Sequence, residues 1–292
     1  MDDREPTIRS RTLGEGLRRA MESAGVSGKT VADRIGCSGA HISRLLSGKR
    51  GATVEDVTSI LTICGIRKGA ERSYLLSLCE DPHHPGWFQQ HGSRLPKQMR
   101  VLVDSEDLTD HLVDFQPLII PGLLQVADYA RAVISKCVNV PADEVEDRVA
   151  ARLARAEVLN RRNPASFEFF IHEWVLRSDV GSRAIMSEQM HHLLRLGVRE
   201  HVSIGVIPAA LGAYAGMSGP FMMLHFPRFR PIVYLESETS CLFLEQPEEI
   251  HAYRNVLGKL RETSLGEGQS RDLIAELATK LSADGGADDD QG

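Results

Sequence analysis

Within the segment SGAHISRLL, the side chains that packing does not need are Ser38, Ala40, His41, Ser43 and Arg44. Lys29 precedes them, and Lys49 and Arg50 follow. Their chemistry is hydrogen bonding and ion pairing to a polyanion, with no residue among them set up to make or break a bond. Arg44 can donate two guanidinium hydrogens to the O6 and N7 of a guanine, or clamp a phosphate instead. His41 and Ser43 each offer one bond to a base or a phosphate. Ala40 offers only a methyl, for instance to a thymine. Lys29, Lys49 and Arg50 suit phosphates, contacts that fix register without carrying sequence information.

The elements that would position these groups are legible in Val26 to Arg50, VSGKTVADRIGCSGAHISRLLSGKR. Val31, Ile35, Ile42 and Leu45 recur at helical spacing, so two short helices each bury a face. Ala32 is small where the helices cross. Gly36 ends the first, because the left-handed region is cheapest for glycine. Ser38 is the expected N-cap of the second, its hydroxyl accepting from a backbone N–H two or three residues on. This is the order of a helix-turn-helix. Upstream, Leu13, Leu17, Ala20 and Met21 share one face of a first helix. Downstream, Thr53 caps a fourth helix carrying Val54, Val57, Ile60, Leu61 and Cys64, with Gly65 to stop it.

Four short helices in this order, most specifically the run from the turn through HISRLLSGKR, resemble the Xre (Cro/CI-like) DNA-binding domain over roughly residues 12 to 66. That resemblance implies that the first turn of the third helix and its next outward residue face base edges. Gly28, Gly39 and Ala40 depart from the commoner pattern, in which glutamine or another hydrogen-bonding side chain is frequent at these places. Direct readout therefore falls on few groups.

The chain has 292 residues, 25% of them charged and 42% apolar, which suits a soluble globular protein of two domains. No run of about 18 apolar residues predicts a membrane span. The first eleven residues, MDDREPTIRSR, lack an apolar core and predict a loose charged arm rather than a signal peptide. Residues 1–80 carry 13 Lys/Arg against 10 Asp/Glu, whereas the rest carry 21 against 30. A modestly basic front and an acidic rear suit a DNA-binding head on a body that does not touch DNA. Five scattered cysteines, an odd number, fit a reducing cytoplasm and no disulfide framework.

Beyond a fifth helix around Tyr74, Leu75 and Leu78, the prolines and glycines of DPHHPGWFQQHGSRLPK predict a linker over 81–98. The body then reads as helical to Asn160, with Asp104–Gln116 as one amphipathic helix facing inward through Leu108, Leu112 and Phe115. Pro121 and Pro141 are expected to open further helices. Strands are expected at 167–174, 202–207, 221–226 and 232–236, the last two as a hairpin, with helices at 187–196, 246–263 and 268–281. The expected fold class is α+β: an all-α helix-turn-helix domain (1–80), the linker (81–98), an α+β domain with a small sheet of about four strands (99–282), and a disordered acidic tail (283–292).

PLIIPGLLQVADYARAV, RVAARLARAEVL, EWVLRSDVG, EQMHHLL, VSIGVIP and AYAGMSGPFMMLHF occur together here. In this order they resemble the actinobacterial Xre-type regulators with a long C-terminal domain, the Scr-type, antitoxin-like transcription factors. The resemblance implies DNA-binding regulation and a small partner protein encoded by a neighbouring gene. It implies no reaction.

The residues themselves argue against catalysis. HEWVL begins like the zinc-protease motif HExxH, but Leu176 takes the place of the second histidine. Gly216-Met217-Ser218-Gly219 lacks the spacing of a nucleophile elbow. His83, His84 and His91 have no carboxylate or cysteine at a matching spacing, and His191-His192 sit on an otherwise apolar helix face. No enzyme activity, cofactor or metal is expected. Three readings stay open. One is a sequence-specific regulator of double-stranded DNA, possible as a homodimer, whose body binds a small protein. Another is a one-component sensor whose loop Pro208–Met217 lines a pocket. The third is an interaction protein with a degenerate helix-turn-helix.

Overall fold

The computed structural model describes residues 8–49, 51–79, 97–227 and 230–285. The chain divides into two compact units, Met1–Leu108 and Thr109–Gly292, each with its own core.

The described part of the first unit is helical: α1 (Ile8–Ser23), α2 (Gly28–Ile35), α3 (Gly39–Leu46), α4 (Val54–Ile63), α5 (Ala70–Ser77) and α6 (Lys97–Leu108). Leu13, Leu17, Ala20 and Met21 form the buried face of α1, as their spacing predicts, and meet Val31, Ile42, Leu45, Val57, Ile60 and Leu61 in one core. Two glycines let α1 approach its neighbours. A methyl group on Gly14 would stand 2.2 Å from the carbonyl oxygen of Leu46, so α1 and α3 cross with their backbones nearly touching. A methyl on Gly16 would stand 2.4 Å from Cδ2 of Leu75. Arg18 ties the same crossing by donating from Nη2 to the Leu46 carbonyl at 3.1 Å.

Two expectations change here. Residues 8–11 belong to α1 rather than to a loose arm, with Arg11 half-buried, while Arg4 lies outside the described residues. The segment Asp104–Gln116 is not one helix: α6 ends at Leu108, and His111–Gln116 forms a strand. Leu108, Leu112 and Phe115 have helical spacing by coincidence. That strand is central and buried on both faces from Leu112 to Phe115, so no alternation marks it.

The second unit is a six-stranded sheet with helices. Its strands are β1 (His111–Gln116), β2 (Ser166–His172), β3 (Val202–Ile207), β4 (Phe221–His225), β5 (Ile232–Glu236) and β6 (Cys241–Leu244). The order is β3-β2-β1-β4-β5-β6, with β1, β2 and β3 mutually parallel and the other pairings antiparallel. The expected hairpin of β4 and β5 is present, and β1 and β6 enlarge the expected four-stranded sheet to six. The helices are α7 (Ala127–Ile134), α8 (Val145–Ala156), α9 (Glu173–Arg177), α10 (Arg183–Leu196), α11 (Pro247–Thr263) and α12 (Glu267–Gly285). Pro121 precedes only a 3-10 turn, Gly122–Leu124, and the helix proper begins after it. Val113, Phe115, Phe170, Phe221, Met223 and Val233 pack on one sheet face with Ile250, Leu257 and Leu260 of α11.

The β3 edge of the sheet is sealed from within the chain. Leu265 N–H donates to the Val206 carbonyl at 2.8 Å, and Val206 N–H donates to Ser270 Oγ at 3.0 Å.

His111 and His225 face each other across β1 and β4, their ring centroids 5.2 Å apart. His225 Nδ1 is buried without a hydrogen-bond partner. Burial first, and the neighbouring His111 ring second, hold His225 below the ordinary histidine range; Arg254 pushes the same way, while a hydrogen bond to the His111 backbone and, less, Asp110 oppose. Burial also lowers His172 and His192. A histidine neutral in the fold but protonated in the unfolded chain contributes stability above its ordinary value near 6.5, and that stability is lost as pH falls below it. Thermal unfolding should therefore show the midpoint falling by about 2–4 °C between pH 7 and 5. His225→Gln should flatten that slope, and an unchanged slope would remove His225 from the cause.

Candidate nucleic-acid interface

Local chemistry fixes the turn between α2 and α3. Ser27 caps α2 by accepting from Thr30 N–H at 3.1 Å. Gly36 closes that helix with φ 77°, in the left-handed region where glycine is cheapest, and both Gly36 and Cys37 donate back to the Ala32 carbonyl. Ser38 then caps α3, its Oγ accepting from His41 N–H at 3.1 Å. Because the hydroxyl accepts there, its own hydrogen stays available to a phosphate or base. Ala32, Ile42 and Leu45 are buried between the helices, which sets the outward face of α3.

That face carries Ser38, Gly39, Ala40 and Ser43, all exposed, with Lys29 and Lys49 exposed beside it. A methyl on Gly39 would meet nothing within 4 Å. Arg44 is half-buried, and its Nε is buried with no hydrogen-bond partner. Arg50 lies outside the described residues, as do His83, His84 and His91.

His41 has a second neighbour that its sequence position does not reveal. Its Nε2 lies 3.7 Å from Oδ1 of Asp56, in the first turn of α4. Asp56 is itself held in a capping box, with Asp56 N–H donating to Thr53 Oγ1 at 3.0 Å and Thr53 N–H donating to Asp56 Oδ2 at 3.2 Å. The Thr-x-x-Asp spacing of this box is visible in the sequence; its reach to His41 is not. His41 is half-buried beside this carboxylate, between α3 and α4, which leaves Ser38, Ala40, Ser43 and the Arg44 guanidinium as the more outward polar and methyl groups of α3.

In the second unit, β2 stops at His172 and Glu173 starts the short α9, so the expected strand 167–174 is shorter and its HExxH-like residues straddle a junction. Leu176 is buried. His172 Nδ1 accepts from Trp174 N–H at 3.2 Å and its ring stacks on Tyr214 at 5.2 Å, while Glu173 Oε2 accepts from Ala209 N–H at 2.9 Å. The loop after β3 is therefore pinned to the ends of β1 and β2; a methyl on Gly216 would stand 2.5 Å from the Phe115 ring. Among the described residues no three His, Cys, Asp or Glu side chains are grouped for a metal, and no helix is long and apolar enough to cross a membrane. Cys37, Cys64, Cys79, Cys137 and Cys241 are half-buried and stand outside any disulfide among the described residues.

A helix-turn-helix domain model matches residues 12–75, which contain α2, α3 and the turn between them. No curated protein and no solved structure matches the chain. The helix-turn-helix marks the chain as carrying a DNA-binding domain of the kind found in regulators. A second model, that of a domain of unknown function (DUF5753), matches residues 99–276, more than half of the chain. The chain therefore belongs to the DUF5753 family, with a helix-turn-helix domain ahead of the family domain.

Proposed function

We propose that this protein is a sequence-specific transcriptional regulator of the Xre type, antitoxin-like in organisation, that acts in the cytoplasm without catalysing a reaction. The carrying observation is the outward face of α3. Its cap, turn and buried face are all fixed locally, and the groups left over are Ser38, Ala40, Ser43 and Arg44, with Lys29 and Lys49 at the flanks. An eight-residue helix of this shape, presented by a rigid turn, fits a major groove. As a homodimer the protein would read half-sites about 34 Å apart.

The second unit, in this reading, receives a small partner protein. Residues 208–224 contain no charged side chain, and within them Met217 is 67% exposed; nearby in sequence to β2, Trp174 is 66% exposed. An exposed tryptophan on α9 and an exposed methionine on an uncharged loop favour a protein contact over a solvated surface.

The test is binding of the purified chain to DNA from its own upstream region, with nonspecific competitor, at two salt concentrations. Specific retention that weakens steeply with salt is expected, because phosphate contacts release counterions. Retention only after the small neighbouring protein is added would make that partner a condition of binding. No retention in either case would rule the regulator out.

A further inference from the structure

A cavity of about 310 Å³, open to solvent, lies between α10, β3 and the first turns of α12. Its wall is aliphatic: Leu193 and Leu194 of α10, Val202 and Ile204 of β3, and Ile274 of α12. All of these but the half-buried Leu194 are buried. None of residues 208–217 lines it, so it is a different place from the loop after β3. Small-molecule sites have this make-up, an apolar space of roughly 300 Å³ or more with a few polar groups at fixed points.

Two charges complete the lining, Glu267 and Arg271, one turn apart on α12 and both exposed. That spacing ordinarily closes an ion pair on the helix surface. Here Arg271 turns instead to α10, donating from Nη2 to the carbonyl of Gly197, which also lines the cavity, at 3.1 Å. That single bond leaves most of the guanidinium donors unused. Among the described residues Glu267 makes no ion pair. Opposite charges therefore stand apart beside one apolar space.

The main chain of β3 adds a second polar pair. The His201 carbonyl accepts from Phe167 N–H of β2, whereas Val206 bonds outward, to Ser270 and Leu265. Both main-chain groups of a residue in a parallel strand point to one side, and successive residues alternate. Ile204, two residues before Val206, accordingly turns its N–H and C=O to the outer edge. Among the described residues no hydrogen bond reaches either group, and Ile204 is only 6% exposed. A buried main-chain pair left unbonded costs stability until something bonds it.

We propose that this cavity binds a free α-amino acid with an aliphatic side chain. The side chain enters among Leu193, Val202 and Ile274, the ammonium meets Glu267 and the carboxylate meets Arg271. Ile204 serves the same two ends, its carbonyl accepting from the ammonium and its N–H donating to the carboxylate. A fatty acid would set its carboxylate near that of Glu267, and an alkylamine would bring a second cation to Arg271; like charges brought together are what each would suffer. A ligand with both signs on one carbon satisfies both residues.

The experiment is calorimetric titration of the full chain with leucine, glycine, isocaproate and isopentylamine at one ionic strength and neutral pH. Leucine should bind saturably. Glycine lacks the side chain and should bind about tenfold more weakly or worse. Isocaproate lacks the ammonium and isopentylamine the carboxylate, and each should lose about fivefold or more. Glu267→Gln, at an exposed position, should weaken leucine by about fivefold and leave isocaproate no weaker. Arg271→Gln should weaken leucine and spare isopentylamine; because Arg271 also holds Gly197, Glu267→Gln decides the matter if that variant does not fold. No saturable heat with leucine, any of the other three probes matching leucine, or a Glu267→Gln protein that binds leucine like its parent would overturn the site.

Discussion

Gly14→Ala is expected to destabilise the first unit by about 3 kcal/mol and to reduce DNA affinity with it. The added methyl would lie 2.2 Å from the Leu46 carbonyl oxygen and 2.7 Å from its carbon. These are backbone atoms at the end of α3, so no side-chain rotation can make room. Either α1 withdraws, opening the core around Leu17 and Leu45, or α3 tilts and carries its outward face away from the groove. Thermal unfolding of the first unit, followed with DNA retention, reads both effects. Gly39→Ala is the matched control. Its methyl meets nothing within 4 Å, and alanine is favoured over glycine in a helix by up to about 1 kcal/mol. Stability should hold or rise there. If Gly14→Ala unfolds no earlier than Gly39→Ala, the close crossing of α1 and α3 is wrong.

Arg44→Ala is expected to weaken the specific DNA complex by about 1–3 kcal/mol, with a much smaller loss on nonspecific DNA. Arg44 has the only side chain on the outward part of α3 able to make two parallel bonds to one base. Its half-burial favours the prediction, because a packed stem leaves less freedom to lose on binding. Lys49→Ala, at an exposed position after α3, should instead weaken all sequences alike and lower the salt slope by about one. Competition binding at several salt concentrations separates the two. Equal losses on specific and nonspecific DNA for Arg44→Ala would assign it to a phosphate.

The sequence made the first unit legible because its signals are local. Gly36, Ser38 and Thr53 each act on backbone groups within four residues, and the structure places all three as their chemistry predicts. The second unit was less legible where its contacts are distant. β1 was hidden because its buried run, Leu112 to Phe115, is flanked by Leu108 at a helical interval, and only its neighbours β2 and β4 decide that it is extended. β6 is four residues long and follows a polar turn, too short for a pattern to form. The pairing of His41 with Asp56 spans two helices, and that of Arg152 with Gln125 joins residues 27 apart. Neither partner bears any spacing that would announce it. A charge-rich helix stripe such as RVAARLAR reads as a solvated face until the packing shows which arginines are turned inward.

The sealed β3 edge has a consequence for how copies of this chain can join. A sheet propagates into a filament only if each added copy leaves a fresh edge at the far end. Here Leu265 and Ser270 already occupy Val206 on the β3 side, so only the β6 end remains at the sheet's other limit. Strand exchange through β6 is consequently self-terminating: two sheets can meet there once, and the pair then ends on β3 at both extremities. The segment from Leu265 to Ser270 thus takes up both backbone groups of Val206 that a further strand on that side would need.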